Sequence, residues 1–277
     1  MITGNGKVIG HLGFPTASFK ASMIYNPWFE ARGIDAAVVP LGVRVEDYET
    51  LFPSLFRITT LHGALVTMPY KVTTMRLVDE LTTTAMIAGA CNAVLKQPNG
   101  SLLGDMFDGS GFVRGMARKG QAVAGGRALV VGAGGVGSAI AASLAAAGLG
   151  SLSLFDVNRA SADALADRLW AHYPMLEVQT GSRDPAGHAI VVNATPMGMN
   201  EDDAIPVDID RVASGSFVGE VVMKEEYTPL LRAARAKGCL VQVGTDMLFE
   251  MIPAYLEFFG FGTATVDELR AAAQLHY

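Results

Sequence analysis

One glycine-rich stretch limits the fold of this chain more than any other feature. The apolar run RALVV has the pattern of a buried strand, and it leads through Gly132, Gly134 and Gly137 into the helical pattern SAIAASLAAAG. Glycines at this spacing allow the tight turn, let the backbone approach a pyrophosphate and let the helix pack closely on the sheet. The N–H groups at the helix start then bind the phosphates. The stretch therefore predicts a dinucleotide-binding α/β domain.

The end of the next predicted strand bears on which dinucleotide binds. The run SLSLF ends at Asp156, about 20 residues beyond the glycines, as this fold requires. A carboxylate there accepts hydrogen bonds from both adenosine ribose hydroxyls and repels a 2′-phosphate, which favours NAD over NADP. Asn158 and Arg159 follow, and an arginine at that place can instead face a phosphate. We expect NAD, with NADP as the less favoured alternative.

Strand-like and helix-like segments alternate through most of the chain. Short apolar runs such as DAAVVPLGV, ALVTM and HAIVVNAT are separated by segments with apolar residues every three or four positions. This alternation predicts parallel sheets joined by crossover helices. The polar, glycine-rich stretch RKGQAVAGGR precedes the strand RALVV and indicates a domain boundary near residue 115.

Charge and composition exclude several classes of protein. The net charge is −6, and no block of like charges indicates binding to nucleic acid or to an anionic membrane. The sequence shows no signal peptide, and no apolar run reaches the roughly 20 residues of a membrane-spanning helix. The two cysteines are far apart and the five histidines form no pair at metal-ligand spacing, so we expect neither a disulfide nor a metal site. This cysteine usage fits a reducing cytoplasm.

A lone lysine follows another apolar run. In GALVTMPYK, the run from Ala64 to Met68 is typical of a buried strand, Pro69 ends it, and Lys71 comes two residues later. Taken alone, the pattern favours a solvated loop lysine. The alternative is a cation positioned in a cleft, because α/β sheets bind their ligands beyond the carboxyl ends of their strands.

Seven separated motifs decide between these two interpretations. They are GFPTASFKAS, GALVTMPYK, AGACNAV, GDMFDG, GAGGVGSA, NATPMGM and GTDMLFE. With these motifs in this order, the chain resembles the shikimate/quinate dehydrogenases over nearly its whole length. The resemblance implies an N-terminal α/β substrate-binding domain at residues 1–113 and a Rossmann domain for the nicotinamide cofactor at 114–242. It also implies C-terminal helices at 243–277 that return to the first domain.

The resemblance also implies a reaction and the residues that carry it out. Lys71 and Asp108 are the implied catalytic pair, because a lysine hydrogen-bonded to a carboxylate can hold the hydroxyl of a secondary alcohol while the nicotinamide accepts the hydride. The implied substrate-binding residues are Ser18, Phe19, Ala21, Thr67, Asn92 and Met251. The glycine pattern and the resemblance together give as cofactor-binding residues Gly132, Gly134, Gly135, Val136, Gly137, Asp156, Asn158, Arg159, Asn193, Ala194, Thr195, Met197, Val221, Gly244 and Met247.

The chain departs from the family pattern at its substrate contacts. Phe19 and Ala21 stand where the family has two serines that hold the substrate carboxylate, and Leu65 stands where it has an asparagine. Met106 and Phe107 replace an amide and a hydroxyl. An apolar pocket binds a polyhydroxy acid poorly, because hydroxyl groups lose water there without gaining a partner. We therefore expect an oxidoreductase with divergent specificity for a less polar, cyclic secondary alcohol or ketone.

Two other interpretations stay open. A true shikimate or quinate dehydrogenase needs a rearranged pocket in which other polar residues take over. Candidates for that role are Tyr25, Asn26, His62 and Lys20. A non-catalytic, NAD-binding regulatory protein explains the altered pocket, although the Lys71–Asp108 pair speaks against it. The expected partner is a small-molecule substrate, with no nucleic acid or membrane, and the chain itself is expected to be a monomer or a homodimer.

Overall fold

The computed structural model describes residues 2–17, 19–200 and 202–274. The chain divides into two compact units, Met1–Phe107 with Ile252–Tyr277, and Asp108–Met251. Each unit contains one six-stranded sheet. The predicted two-domain α/β class is confirmed, and the C-terminal segment belongs with the first unit.

The first unit is built on a mixed sheet. Its strands are β1 (Lys7–Gly13), β2 (Ala36–Gly42), β3 (Leu61–Val66), β4 (Glu80–Leu81), β5 (Ala93–Lys96) and β6 (Leu102–Asp105). Their order across the sheet is β2-β1-β3-β5-β6-β4. Strands β1, β2 and β3 are parallel, whereas β5 runs antiparallel to β3 and to β6. A tight hairpin between β5 and β6 causes this reversal, and in it the Gln97 N–H donates to the Ser101 carbonyl at 2.8 Å.

The pairing of β1 with β3 contains a bulge. Val8 pairs with Leu61 and Ile9 pairs with Gly63, so His62 is an extra residue on β3. Beyond the bulge the register is regular and sets Leu65 directly beside His11. Because successive side chains alternate between the two faces of a strand, the bulge decides which residues of β3 share a face with His11.

The sheet of the second unit is parallel throughout. Its strands are β7 (Arg127–Val131), β8 (Ser151–Phe155), β9 (Glu177–Thr180), β10 (Ile190–Asn193), β11 (Phe217–Glu220) and β12 (Leu240–Gln242). Their order is β12-β11-β10-β7-β8-β9. Strands β8 and β9 thus extend the sheet on one side of β7, and β10, β11 and β12 extend it on the other, so the strand order reverses between β7 and β10. In such sheets a ligand binds at this reversal, beyond the carboxyl ends of the strands.

Helices connect most of the strands. They are α1 (Ala21–Ala31), α2 (Tyr48–Leu55), α3 (Lys71–Thr74), α4 (Thr83–Ala88), α5 (Asp108–Arg118), α6 (Gly135–Ala146), α7 (Arg159–His172), α8 (Pro229–Ala236), α9 (Gly244–Phe258) and α10 (Val266–Ala272). In the part of the chain that the structure describes, no helix could cross a membrane, and no group of three or more His, Cys, Asp or Glu residues could hold a metal ion.

The units divide at places that differ from the expected residues 113 and 242. Residue 113 falls inside α5, which belongs wholly to the second unit because its glycines lie against that unit's backbone and side chains. A Cβ on Gly109 would lie 1.9 Å from the Ala139 carbonyl oxygen, and one on Gly115 would lie 2.7 Å from the Gln242 side chain. Helix α9 likewise contributes its first half, up to Met251, to the second unit.

Candidate active site

The predicted glycine loop joins β7 to α6 and leaves little room for side chains. Gly132 has a φ of +104°, and a Cβ there would lie 2.7 Å from the Ala194 carbonyl oxygen. A Cβ on Gly137 would lie 1.9 Å from the Gly132 carbonyl oxygen, so α6 packs as closely as the backbone allows. Gly134, by contrast, has no atom within 4 Å of its Cβ position, which leaves space for a ligand.

The start of α6 fits a pyrophosphate. Gly134 is the N-cap residue and supplies no side-chain cap. The first N–H groups of a helix have no partner within the helix, and they carry the positive end of its dipole. Here they belong to Gly135, Val136 and Gly137. The open space beside Gly134 and these N–H groups together form a cradle suited to the phosphates of a dinucleotide.

Asp156 ties the glycine loop to the turn after β8. Its Oδ2 accepts the Ala133 N–H at 2.7 Å, and its Oδ1 accepts the Asn158 N–H at 2.8 Å. Each carboxylate oxygen therefore already accepts a backbone hydrogen bond. Asp156 has a structural function that the sequence pattern did not reveal.

Two arginines lie on either side of this turn. Arg159 begins α7 with its side chain 73% exposed, and its Nε lies 3.4 Å from the Asp163 carboxylate. Its Nη1 lies 3.5 Å from the Cβ position of Gly181, just beyond the end of β9. The guanidinium of Arg183 lies 5.7 Å from the ring centroid of Phe155, the residue that precedes Asp156. The sequence pattern after β8 points to Arg159, whereas no motif points to Arg183.

The segment after β10 forms another wall of the cofactor site. The Asn193 Oδ1 accepts hydrogen bonds from the Thr195 N–H at 3.0 Å and from its hydroxyl at 2.6 Å. The Asn193 Nδ2 donates to the Met197 carbonyl at 2.9 Å, which fixes the turn. The Thr195 methyl group lies 3.0 Å from the Cβ position of Gly132, so this segment and the glycine loop are in contact.

The neighbouring strand and α9 continue this wall. The Val221 N–H donates to the Asn193 carbonyl at 3.2 Å. A Cβ on Gly244 would lie 2.2 Å from the Val222 carbonyl oxygen, so α9 begins against the end of β11. Met247 is buried on α9. The structure thus brings the predicted cofactor residues together at the carboxyl ends of β7, β8, β10 and β11.

Glu220 is a buried carboxylate beside this wall that the sequence analysis did not place in the site. It ends β11, in register with Asn193, and is 0% exposed. Neither of its oxygens has a hydrogen bond of ordinary geometry among the described residues. Burial raises the pKa of Glu220 above 4.5, and the nearby Thr228 and Asn193 side chains offset part of this increase.

In the first unit, the predicted substrate-binding residue Asn92 joins two strand ends. This residue is 1% exposed, and its side-chain Oδ1 accepts the Phe107 N–H at 3.0 Å. Its backbone N–H donates to the Asp105 carbonyl at 2.9 Å, and its own carbonyl accepts the Val66 N–H at 2.8 Å. Asn92 therefore links the end of β3 to the end of β6.

Lys71 is held next to this junction. Its carbonyl accepts the Cys91 N–H at 2.8 Å, so the first residue of α3 is bound to the residue before Asn92. The preceding Tyr70 is buried, and its ring stacks on Tyr48 at a centroid distance of 3.8 Å. These contacts fix the backbone of Lys71 just beyond the end of β3, and its catalytic role stays a prediction.

Phe19 and Thr67 meet at the end of β1. The Cβ position of Gly13 lies 2.4 Å from the Thr67 methyl carbon and 2.7 Å from the tip of the Phe19 ring. The Phe19 ring stacks on His11 with a centroid distance of 4.0 Å. Ala21 is buried at the start of α1, while Ser18 lies outside the described residues. His11 was missed because an isolated histidine inside a strand pattern carries no motif.

Two predicted residues lie in the second unit. Asp108 is the first residue of α5 and is 3% exposed. Met251 lies on α9, and its backbone nitrogen is 2.9 Å from the Cβ position of Gly111, which is on α5 with Asp108. Their roles toward the substrate, and the pairing of Asp108 with Lys71, stay predictions.

Comparisons with known proteins bear on the family. Residues 12–94 match the family model described as the shikimate dehydrogenase substrate binding domain, and residues 114–170 match that of the ThiF family. The chain is 36% identical to a protein of Rhodospirillum rubrum named shikimate dehydrogenase (NADP(+)), over 98% of each chain. It is 34% identical to a protein of the same name from Acidiphilium cryptum, over 97% of this chain and 95% of that one.

Solved structures agree with these relatives. Shikimate 5-dehydrogenase from Listeria monocytogenes, in complex with shikimate and NAD, matches 98% of this chain and 97% of its own with a TM-score of 0.90 and 25% identity. The enzyme from Thermus thermophilus, in complex with NADP(H) and shikimate, matches 96% of this chain and 98% of its own with a TM-score of 0.84 and 26% identity.

The prediction of NAD over NADP is wrong. The relatives from Rhodospirillum rubrum and Acidiphilium cryptum both carry NADP(+) in their names. The physical error lay in giving Asp156 to the ribose alone. Its oxygens also accept the backbone N–H groups of Ala133 and Asn158, and the carboxylate is not the only charge at this turn, because Arg159 and Arg183 lie near it.

The motifs, the two sheets and the glycine cradle occur together in one chain, and its identity to the curated relatives extends over nearly its full length. The chain therefore belongs to the shikimate dehydrogenase family.

Proposed function

We propose that this protein is an NADP-dependent oxidoreductase that transfers a hydride between the nicotinamide and the carbon of a cyclic secondary alcohol less polar than shikimate. The observation that carries the proposal is the fixed junction of Lys71 with Asn92 at the strand ends of the first unit. A lysine and an amide whose backbones are joined in this way can orient one hydroxyl and bind another oxygen of the same substrate.

Lys71 holds the reacting oxygen in this proposal. Bound nicotinamide supplies the hydride chemistry. In the direction of oxidation the neutral amine of Lys71 accepts the hydroxyl proton as the hydride leaves the carbon, and in the direction of reduction the ammonium group returns that proton to the carbonyl oxygen. Asp108 serves as the partner carboxylate that orients Lys71 and shares the proton. Asn92, rigid and buried, positions a second substrate oxygen.

Arg159 and Arg183 are the residues proposed to select NADP. A 2′-phosphate carries close to two negative charges, and planar guanidinium groups bind phosphate oxygens with paired hydrogen bonds. Arg159 is largely exposed at the start of α7, and Arg183 lies over Phe155. The glycine loop and the N–H groups of α6 would hold the pyrophosphate.

The less polar specificity is proposed from the composition of the substrate side. Phe19 lies against Thr67 and His11, and Leu65 is buried in the strand beside them. None of these residues except Thr67 and His11 has a polar side-chain atom. Transferring substrate hydroxyls or a carboxylate into such surroundings without partners is unfavourable.

A second candidate is the oxidation of shikimate or quinate itself in a rearranged pocket. The names of the relatives favour it. The same assay separates the two candidates, because it compares these acids with uncharged cyclic alcohols.

The test measures NADP+ reduction by the purified protein with shikimate, quinate and uncharged cyclic diols. The Lys71→Met variant should lower kcat/KM by about 100-fold or more, since it removes the group that holds the reacting oxygen. Lys96→Met is the matched control in the same unit, because the Lys96 Nζ makes one weak bond of 3.4 Å to a carbonyl. Equal rates for both variants would contradict the proposal, and efficient shikimate turnover would favour the second candidate.

A further inference from the structure

His11 is a polar side chain in the substrate unit that no part of the proposed reaction uses. It lies on β1, in register with Pro40 on β2 and Leu65 on β3. The Phe19 ring covers one face of its imidazole, with an angle of 24° between the two planes. The rest of the ring is partly exposed, at the strand end where Thr67 and Lys71 follow β3. Its surroundings are thus aromatic and aliphatic, apart from the lysine.

The two ring nitrogens of His11 differ in their surroundings. Nδ1 is buried and has no hydrogen-bond partner among the described residues. Nε2 does not belong to this group of buried atoms without a partner. A buried N–H without an acceptor is less favourable than a buried lone pair. The proton therefore belongs on Nε2, which then faces the accessible side as a hydrogen-bond donor.

The imidazole of His11 is neutral at physiological pH. Burial, with a further contribution from the Lys71 ammonium, lowers the pKa of His11 from 6.5 to about 4. The Phe19 ring that stacks on His11 also lies beside Thr67, at the Cβ position of Gly13. A ligand that lies against Phe19 and Thr67 can therefore meet the Nε2–H of His11.

We propose that His11 is a substrate-binding residue that donates a hydrogen bond to an uncharged hydroxyl or carbonyl oxygen, so that the preferred substrate is an uncharged cyclic alcohol or ketone and not a hydroxy acid. The inference rests on the proposed function, and it names the substrate class of that same site. A carboxylate against the Phe19 ring would meet the neutral donor of His11, and neither Phe19 nor Ala21 offers it the hydroxyl that a serine would. An uncharged oxygen loses less hydration at that place, and one donor satisfies it.

The test compares two ligands that differ in one group. One is shikimate, and the other is its analogue with the carboxylate reduced to a hydroxymethyl group. Each is titrated calorimetrically into protein saturated with NADP+, and NADP+ reduction is measured in parallel. The wild type should bind the uncharged analogue about 10-fold or more tightly than shikimate, which corresponds to the net contribution of about one hydrogen bond.

Two substitutions isolate the donor. His11→Phe keeps a ring to stack on Phe19 and removes the N–H, and it should weaken binding of the uncharged analogue about 10-fold while leaving shikimate within a factor of about two. His11→Gln places an amide N–H near the position of Nε2 and should restore most of the affinity. Rescue by glutamine excludes misfolding as the cause of the loss.

The outcomes separate this inference from the proposed function. Tighter binding of shikimate, or equal effects of His11→Phe on both ligands, would overturn the role of His11. Shikimate turnover with those results would leave the proposed hydride transfer standing. Conversely, binding of the analogue that depends on His11 without any NADP+ reduction would support the inference and contradict the proposed function.

Discussion

The side-chain oxygen of Asn92 accepts a hydrogen bond from the backbone N–H of Phe107, at 3.0 Å, within the first unit. Asn92→Ala removes this acceptor and leaves the N–H of Phe107 without it, at a part-buried position. We expect a loss of about 1–3 kcal/mol in the free energy of unfolding, measured by urea denaturation. Asn5→Ala, at an exposed position, is the control and should change stability by less than about 0.5 kcal/mol. Equal stability of the two variants would contradict a structural role for the Asn92 side chain.

The glycine loop predicts opposite effects for two similar substitutions. Gly137→Ala would place a Cβ 1.9 Å from the Gly132 carbonyl oxygen, so α6 must shift away from the sheet. We expect a lower Tm together with weakened NADP+ binding. Gly134→Ala meets no atom within 4 Å and should keep the Tm of the wild type, while its methyl group hinders the approach of the phosphates. Thermal unfolding and a fluorescence titration with NADP+ measure both effects, and an unchanged Tm for Gly137→Ala would disprove the packing argument.

The two arginines beside Asp156 predict a selective loss of NADP+ affinity. Arg159→Gln and Arg183→Gln should each raise the Kd for NADP+ about 10-fold, because each removes a charge-assisted hydrogen bond to the 2′-phosphate. The Kd for NAD+, which lacks this phosphate, should change by less than about twofold. Arg211→Gln serves as the control, because its guanidinium is already bound to the Asp184 carboxylate at 2.7 and 2.8 Å. A parallel loss of both cofactors would assign the arginines a structural role.

Phe19 predicts a gain of activity. Phe19→Ser restores a hydroxyl at a position where the family holds a carboxylate, and it should raise kcat/KM for shikimate about 10-fold relative to the wild type. Phe261→Ser is a control aromatic residue in the same unit, packed on Phe29 with ring centroids 5.0 Å apart, and it should give no such gain. Steady-state kinetics with NADP+ measure both. A fall in shikimate turnover for Phe19→Ser would show that the ring does not exclude acids.

Glu220 predicts how stability changes with pH. Because burial raises its pKa in the folded state above 4.5, folding favours the protonated form. This contribution to stability is complete below pH 4.5 and is lost as the pH rises through the raised pKa. Glu220→Gln, which is always neutral, does not lose it. The stability of the variant relative to the wild type should therefore increase upward from pH 4.5, measured by urea unfolding at several pH values. A constant difference would contradict the raised pKa.

Sequence reasoning reached the parts of this protein that follow from local patterns. The spacing of Gly132 and Gly137 predicted the phosphate cradle, because a helix that packs this closely on a strand leaves no room for a Cβ at these positions. Lys71, which follows the end of a predicted strand, was interpreted as catalytic only because the family motifs surround it. The structure then confirmed the two sheets, while the roles of Lys71 and Asn92 stay predictions.

The features that were missed depend on contacts between distant residues. Arg183, which follows β9, is relevant because it lies over Phe155 at the end of β8. His11 is relevant because Phe19 stacks on it and β3 pairs with its strand. No local spacing records either neighbour. The aspartate after β8 was misread for the same reason, since its bond to Ala133 spans 23 residues of sequence.

Because His62 is an extra residue in β3, the number of residues in this strand is constrained as well as their types. Removing it would shift the rest of β3 by one position against β1. Ala64 and Val66 would then turn toward the side of His11, and Leu65 would turn into the core that they now fill. Substitutions in this segment can therefore change the chemistry of the pocket gradually. Insertion or deletion of one residue, by contrast, moves every later side chain of β3 to the opposite face of the sheet. Variation in this strand should thus appear among functional homologues as changes of residue type at constant length.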